Sequence, residues 1–350
     1  MSSFTVIISD AGDHDEGFRG TALFWQLASR FGAYAELGLY WFLCAYYGRD
    51  KVRLLRPSQL LRRTRAIQTD WLFVGLPTRV STDHLTNVRF KQMALYDATD
   101  VDGIAFEYSD QRTLLSHTNV CLKNWRDRRW DFEFQIGLLP IKRPPLNNKL
   151  SRLLGRHQHD GTNFVKQFDV GFIARPTGEL KSNPRVQWLL QLKRDRPGLT
   201  LWGGLVGDRR WQQAVAAEID DPLLADCWLN RRKMNYREYF EGLCRSRVAL
   251  APRGFAPWTY RHYEAIYAKA MLVCNDLCHF DFLVPLPPQS VVEVAEGESV
   301  IAAVDAALDI VSRNPTIVDE NRRELERWWR LATYCDACPA LLERFWRQFT

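Results

Sequence analysis

The N-terminal half of the sequence alternates short apolar runs with polar loops. The first run, Phe4 to Ile8, is followed by a polar loop at 9–20 and then by a helix-compatible segment from about Thr21. Further short apolar runs lie at 71–74, 92–96, 104–108 and 119–122. Short buried strands that alternate with helices favour a parallel sheet covered by helices. We therefore predict that this half forms one α/β unit.

A second series of the same kind begins at Phe168. It predicts strands at 168–174, 200–202, 248–251 and 271–274, and helices at 185–195, 236–245, 260–270 and 299–312. Two successive α/β series predict a protein with two lobes. Ligands of open parallel sheets bind outside the carboxyl ends of the strands, so we expect the chemistry to lie there.

The boundaries of the lobes follow from a change in composition. Between Pro140 and Asp160 the chain is rich in Pro, Asn, Arg and His and has few residues that could fill a core. We predict an N-terminal lobe at 1–145, a linker at 146–165, a C-terminal lobe at 166–318, and C-terminal helices at 319–350 that pack back on the N-terminal lobe. The alternative for the aromatic and basic C-terminal segment is contact with an anionic membrane.

Composition and charge narrow the class of protein. The 350 residues are 46% hydrophobic and 25% charged, which is typical of a folded globular chain. Lys and Arg number 47 against 41 Asp and Glu, a net charge of +6 that is spread along the chain. This balance suits phosphate-bearing ligands. A dedicated nucleic-acid-binding protein more often carries a concentrated basic block, which the sequence lacks.

The N-terminus and the longest apolar stretch predict where in the cell the protein lies. Residues 1–20 lack the basic and apolar pattern of a signal peptide, and the apolar stretch Leu37 to Tyr47 is about half of the ~20 residues that span a bilayer. We expect a cytoplasmic protein without a transmembrane helix.

The eight cysteines are expected to be mostly reduced thiols in that compartment. Four of them could be imagined as a thiolate zinc site: Cys274, Cys278, Cys335 and Cys338. Because Cys274 ends an apolar run that predicts a buried strand, we expect that these cysteines do not bind zinc.

The most informative segment is 246–276. After a predicted strand, Pro252, Arg253 and Gly254 form a turn that places a guanidinium group and an uncrowded backbone at the strand end. Thr259 is a candidate N-cap for the next helix. A turn, a cation and a helix N-terminus at one point predict a binding site for a phosphate group.

Within that helix, Arg261 and Glu264 are three residues apart and share one face. In isolation they are a surface ion pair worth about 0.3 to 0.5 kcal/mol. Beside a phosphate site, the carboxylate is also well placed to accept hydrogen bonds from ribose hydroxyls.

The run from Tyr236 to Asp276, which contains SRVALAPRG and RHYEAIYAKAMLV, resembles the donor-site signature of GT-B glycosyltransferases, particularly the exostosin-like branch and related bacterial and viral enzymes. The resemblance implies an α/β fold of two Rossmann-type lobes that face each other across a cleft, with a nucleotide-diphosphate sugar held by the C-terminal lobe. It implies Arg253 and Arg261 on the diphosphate and Glu264 on the ribose, and it places Gly254, Thr259 and Tyr260 in the same site. It requires no metal cofactor.

Two positions depart from the wider pattern of this family. Many retaining members carry a second Glu eight residues after the first, where this chain has Leu272, and the usual Gly before the last strand is Ala270. The first departure weakens a retaining assignment without proving inversion.

A transferase that inverts needs a base for the attacking hydroxyl. The acidic loop DAGDHDEGFRG follows the first strand, and we favour Asp13, His14 or Asp15 in it. Asp97 and Asp100, after the run that ends at Tyr96, are second candidates.

The expected function is a hexosyl- or pentosyltransferase that moves a sugar from a nucleotide-diphosphate donor to a hydroxyl on a glycan or glycolipid. One alternative is a phage-type glycosyltransferase that acts on modified bases in DNA. Another is a non-catalytic nucleotide-binding or scaffold protein.

Overall fold

A computed structural model describes most of the chain. The described residues are 2–7, 37–76, 80–97, 102–104, 113–140, 164–176, 180–229, 234–254, 256–257, 259–328 and 338–350. The predicted linker at 146–165 and the predicted strand at 104–108 lie almost wholly outside them.

The chain divides into two compact units. Unit 1 comprises Met1–Asn147, Phe280–Pro285 and Trp328–Thr350, and unit 2 comprises Asn148–His279 and Leu286–Arg327. Each unit is built around its own parallel sheet. Within the described ranges, no helix is both long enough and apolar enough to cross a membrane.

Unit 1 contains a six-stranded parallel sheet in the order β2-β1-β3-β4-β5-β7. Its strands are β1 (Phe4–Ile7), β2 (Val52–Leu55), β3 (Ile67–Leu76), β4 (Val88–Asp97), β5 (Val120–Lys123) and β7 (Gln135–Leu138). The short strand β6 (Arg126–Asp127) pairs antiparallel with β12 (Phe280–Asp281). The long strands β3 and β4 are the apolar runs at 71–74 and 92–96, extended at both ends.

Helices cover this sheet. They are α1 (Leu37–Tyr47), α2 (Pro57–Leu61) and α3 (Thr82–Leu85), with a 3-10 turn at Leu115–His117. Helix α1 is the longest apolar stretch of the sequence, and it buries Leu39, Phe42 and Leu43 in the unit.

The C-terminal helix α11 (Pro339–Trp346) belongs to unit 1 and ends in the 3-10 turn Arg347–Phe349. Phe345 is fully buried, and its ring lies 5.1 Å from that of Phe42. The indole Nε1 of Trp346 donates a hydrogen bond to the Tyr47 hydroxyl over 2.7 Å. The predicted return of the C-terminal helix to the first lobe is therefore confirmed, and its aromatic residues are used in packing.

Unit 2 contains a five-stranded parallel sheet in the order β13-β11-β10-β8-β9. The strands are β8 (Phe168–Ala174), β9 (Leu201–Leu205), β10 (Ser246–Ala251), β11 (Met271–Asn275) and β13 (Val291–Val294). All strands predicted from the second apolar series are present, and β8 has the predicted bounds.

The helices of unit 2 are α4 (Pro184–Asp195), α5 (Arg209–Glu218), α6 (Leu224–Cys227), α7 (Tyr236–Cys244), α8 (Tyr260–Tyr267), α9 (Val300–Arg313) and α10 (Ile317–Trp328), with a 3-10 turn at Pro288–Ser290. Helix α8 ends earlier than the predicted 260–270. Lys269 has a φ of 56°. This left-handed conformation cannot continue an α-helix, so the chain turns there into β11.

Helix α10 packs within unit 2. Ile317 and Val318 join its core, and Asn321 donates a hydrogen bond to the carbonyl of Gln289 over 3.1 Å. Of the predicted C-terminal helical segment 319–350, the part from Trp328 onward belongs to unit 1.

Candidate functional site

The turn after strand β10 lies at the carboxyl edge of the unit 2 sheet. Strand β10 ends at Ala251, and the backbone N–H of Arg253 donates a hydrogen bond to Oδ1 of Asn275 over 2.7 Å. Asn275 is the last residue of the neighbouring strand β11. Two adjacent strand ends therefore fix the course of this turn, and the Arg253 side chain is exposed.

Gly254 allows a second arginine to approach the turn. A Cβ atom built on Gly254 would clash with Nη2 of Arg185. Arg185 is the second residue of helix α4, and its Nη1 donates a hydrogen bond to the carbonyl of Arg175, just after strand β8. The glycine is needed here because the guanidinium occupies the space of a side chain.

Arg261, in the first turn of helix α8, brings a second positive charge near Arg185. Its guanidinium carbon lies 5.9 Å from the centre of the Phe172 ring, on strand β8. Burial, and then the charge of Arg261, lowers the pKa of Arg185 to about 10. Two guanidinium groups of like charge at one sheet edge disfavour each other unless an anion lies between them.

The start of helix α8 carries several buried polar atoms. Thr259 occupies the N-cap position with extended backbone angles, φ −141° and ψ 165°, as predicted. Its N–H donates to Nδ1 of His262 over 3.0 Å, and His262 is fully buried. Burial is the main cause that lowers the pKa of His262 to about 4, so the ring is neutral at pH 7.

Four atoms of this helix start have no hydrogen-bond partner among the described residues. They are Oγ1 of Thr259, Nε and Nη1 of Arg261, and Nε2 of His262. Buried polar atoms in native proteins are nearly always hydrogen-bonded, and an unsatisfied one costs about 1 to 3 kcal/mol. Such a concentration is typical of a site that a polar ligand completes.

Glu264 lies one turn further along helix α8. It is only 8% exposed, and its Oε2 accepts a hydrogen bond from the hydroxyl of Tyr239 over 2.8 Å. Burial, and then the Glu264 charge, raises the pKa of Tyr239, so the phenol stays protonated and remains a donor. The alternative in which Arg261 and Glu264 form a solvated surface ion pair is wrong, because Glu264 is buried.

The remaining residues of the predicted site have simpler surroundings. Tyr260, the first residue of helix α8, is half-buried. Leu272 and Ala270 are buried, the first within strand β11 and the second just before it. Sequence reasoning missed Arg185. Its signal is the Asn183-Pro184-Arg185 start of helix α4, where Asn183 is the N-cap, at the carboxyl end of the first strand of unit 2.

The candidate bases Asp13, His14 and Asp15 lie outside the described residues, as does Asp100. Asp97 is described, and it differs from the expectation of an accessible carboxylate. It is fully buried at the end of strand β4, and its Oδ2 accepts a hydrogen bond from Nζ of the equally buried Lys123 over 2.9 Å. A carboxylate in this ion pair is shielded from a substrate.

No protein-family model matches the sequence, and no curated protein matches it. Solved structures do match. One is the N-terminal domain of the Candida albicans trehalose-6-phosphate phosphatase, with a TM-score of 0.51 and 9% identity over 97% of this chain and 96% of that one.

Two other solved structures match with lower TM-scores. The pneumococcal O-GlcNAc transferase GtfA, in complex with UDP and GlcNAc, has a TM-score of 0.47 at 12% identity and covers 84% of this chain. Sucrose-phosphate synthase from Thermosynechococcus elongatus has a TM-score of 0.47 at 13% identity, over 80% of this chain and 74% of that one. This chain spans 58% of the length of GtfA and 59% of the matched chain in the GtfA/B complex.

The match to the Candida albicans domain runs along nearly the whole length of both chains and shows the fold. Together with the two parallel sheets, each with its own helices, it confirms the predicted α/β class. The chain is a protein of the GT-B fold, with two Rossmann-like units.

Proposed function

We propose that the chain is a glycosyltransferase that moves a sugar from a nucleotide-diphosphate donor to a hydroxyl group of a glycan or glycolipid, and that unit 2 binds the donor. The observation that carries this proposal is the start of helix α8, where Thr259, Arg261 and His262 hold buried polar atoms without hydrogen-bond partners among the described residues. A diphosphate offers the acceptor oxygens and the negative charge that these groups lack.

The charges of this region fit a diphosphate better than a neutral ligand. Arg185 and Arg261 are like charges at one sheet edge, and the charge of Arg261 adds to burial, the larger cause, in lowering the pKa of Arg185. The N-terminus of helix α8 adds the partial positive charge of its dipole. When the bond between the sugar and the diphosphate breaks, negative charge grows on the leaving oxygen, and the two guanidinium groups stabilise that charge.

Glu264 supplies the second half of donor recognition in this proposal. Its buried carboxylate is oriented by the Tyr239 hydroxyl through Oε2, and it accepts hydrogen bonds from the ribose hydroxyls of the donor. The reaction then depends on holding the donor in line with the acceptor hydroxyl, and on a base that removes the proton of that hydroxyl. Asp13, His14 and Asp15 remain the proposed candidates for this base.

Calorimetric titration with nucleoside diphosphates of different bases tests donor binding. We expect Glu264→Gln to weaken the best of them by about 1 to 3 kcal/mol, since a hydrogen bond to a charged group is lost. The parent protein should also prefer a ribose to a 2′,3′-dideoxyribose nucleotide, and Glu264→Gln should lose that preference. Glu324→Gln, on the exposed face of helix α10, is the matched control. An unchanged ribose preference in Glu264→Gln contradicts the assigned role.

Transfer is tested with the nucleotide sugars that bind, using glycan, glycolipid and modified-DNA acceptors. Asp13→Asn, His14→Gln and Asp15→Asn should each keep donor affinity, and the variant that lacks the base should lose about 10²- to 10⁴-fold in turnover. Full turnover in all three variants removes the loop from the mechanism. A parent protein that binds the nucleotide but transfers to none of the tested acceptors favours the non-catalytic alternative. Transfer to DNA alone favours the phage-type alternative.

A further inference from the structure

A second group of chemically reactive side chains lies in the loop that follows strand β11. One ligand atom from each of Asp276, Cys278 and His279 lies within 4.8 Å of the others, and these three form a potential metal-binding group among the residues that the structure describes. A carboxylate, a thiol and an imidazole are three different ligand types that zinc uses together. None of them belongs to the residues proposed to hold the donor.

The loop is fixed at its start by the sheet. The N–H of Asp276 donates to the carbonyl of Val294, at the end of strand β13, over 3.1 Å. The Asp276 carboxylate then accepts the Cys278 N–H at Oδ1 over 2.7 Å and the Cys278 thiol at Oδ2 over 3.1 Å. The thiol and the carboxylate therefore already face each other, and a metal ion would take the place of the thiol proton.

Glu293, on strand β13, places a second carboxyl group beside this loop. It shares a side-chain hydrogen bond with Asp276, and it accepts a hydrogen bond from the N–H of Leu277. Two neighbouring carboxyl groups attract a cation. This arrangement concentrates negative charge beside the thiol and the imidazole, which favours a divalent cation over an anion.

Access also fits an ion-binding loop. Cys278 is exposed, whereas the other described cysteines are buried or half-buried. His279 is exposed as well, and Asp276 is half-buried. An ion can reach the three side chains from solvent and keep water as a further ligand. Bonds of about 2.0 to 2.3 Å in a tetrahedral zinc site hold ligand atoms about 3.3 to 3.8 Å apart, so the side chains need to close by about 1 Å.

We propose that Asp276, Cys278 and His279 bind a zinc-type divalent ion, with the Glu293 carboxylate as a supporting charge. The thiol proton leaves to solvent when the sulfur–metal bond forms, and the Asp276 carboxylate turns from the thiol to the metal. This differs from the four-thiolate site considered from the sequence, because Cys274 lies fully buried inside strand β11. Of those four cysteines, the proposal uses Cys278, and Cys335 lies outside the described residues.

The experiment uses the full chain, stripped with a chelator, and titrates Co²⁺ as a spectroscopic probe and Zn²⁺ in competition with a chromophoric chelator. We expect one ion per chain, a thiolate-to-cobalt charge-transfer band, and release of about one proton per ion at a pH below the thiol pKa. Cys278→Ser should abolish the charge-transfer band. Cys278→Ser and His279→Asn should each weaken Zn²⁺ binding by at least about tenfold, as expected when a metal site loses a ligand.

Cys338→Ser and His117→Asn are the matched controls, because Cys338 is half-buried, His117 is exposed and neither lies in the loop. Both should bind Zn²⁺ like the parent chain. Circular dichroism checks that each variant is folded. Absence of stoichiometric binding by the parent chain at micromolar Zn²⁺ overturns the proposal. Zn²⁺ binding by Cys278→Ser and His279→Asn that is as tight as that of the parent chain also overturns it. The result is independent of nucleotide affinity, so it separates this inference from the proposed transferase activity.

Discussion

The hydroxyl of Tyr239 donates a hydrogen bond to Oε2 of Glu264 over 2.8 Å, and this bond joins helix α7 to helix α8. Glu264 is only 8% exposed, so its carboxylate depends on such donors in place of water. The bond also fixes the direction in which the carboxylate presents its oxygens. Tyr239 is therefore a positioning residue for the proposed ribose contact.

Tyr239→Phe removes that donor and keeps the ring. We expect nucleotide affinity to fall about 2- to 10-fold, because the lost hydrogen bond affects the nucleotide only through the orientation of the Glu264 carboxylate. The ribose preference should persist in reduced form, because Glu264 keeps its charge. Tyr46→Phe is the matched control, since the Tyr46 hydroxyl donates to the carbonyl of Cys338 in unit 1. Calorimetry of both variants decides the question, and equal affinity losses would show that the effect is not specific to Glu264.

Gly254→Ala tests the close approach of Arg185 to the turn. The new Cβ clashes with the end of a flexible side chain, so the guanidinium should move while the backbone stays in place. We expect diphosphate affinity to fall about tenfold, or ~1.4 kcal/mol, with little change in melting temperature. In Gly198→Ala, the added Cβ meets no atom within 4 Å, and affinity should be unchanged. A large drop in melting temperature for Gly254→Ala would point to a backbone role instead.

The buried His262 makes stability depend on pH. In the unfolded chain it takes up a proton below its ordinary pKa of 6.5, whereas in the folded chain it does so only at about 4. Its contribution is therefore fully present above pH 6.5, and falls as the pH is lowered through this window. The loss reaches about 3 kcal/mol below pH 4.

His262→Gln removes this titration and keeps an acceptor at the position that caps the Thr259 N–H. Urea denaturation at pH 7 and at pH 4.5 should show a smaller drop in unfolding free energy for this variant than for the parent chain. His117→Asn, at an exposed site, should behave like the parent. An identical pH dependence in His262→Gln would mean that folding does not shift the pKa of His262.

The Asp97 and Lys123 pair is predicted to be structural. Asp97→Asn leaves the Lys123 charge fully buried without its carboxylate, and should cost about 3 to 5 kcal/mol of unfolding free energy. The double variant Asp97→Leu with Lys123→Met should recover most of that loss. Asp309→Asn, which breaks an exposed pair with Arg313, should cost less than about 1 kcal/mol. Denaturant titrations measure all three, and a stable Asp97→Asn protein would reopen a catalytic role for Asp97.

Much of the fold follows from local patterns. The apolar run 168–174 is strand β8, and the sequence from 246 to 275 forms the strand, turn, helix and strand that its pattern predicts. These elements are predictable because alternation, turn residues and the cap at Thr259 act over only a few residues. The predicted C-terminal end of helix α8 was wrong because Lys269 adopts a left-handed conformation that is usually signalled by a glycine in the sequence.

The same local patterns determined that Arg261 and Glu264 share a helix beside a phosphate-type turn. Only the tertiary structure decided what surrounds them. Arg185 reaches Gly254 from a different helix, and Tyr239 reaches Glu264 from another, because parallel strands bring the loops of distant segments to one sheet edge. The tertiary structure also decided how deeply each side chain is buried. Asp97 is buried in an ion pair with Lys123, whereas Cys278 is exposed. The spacing of residues along the chain does not encode this depth.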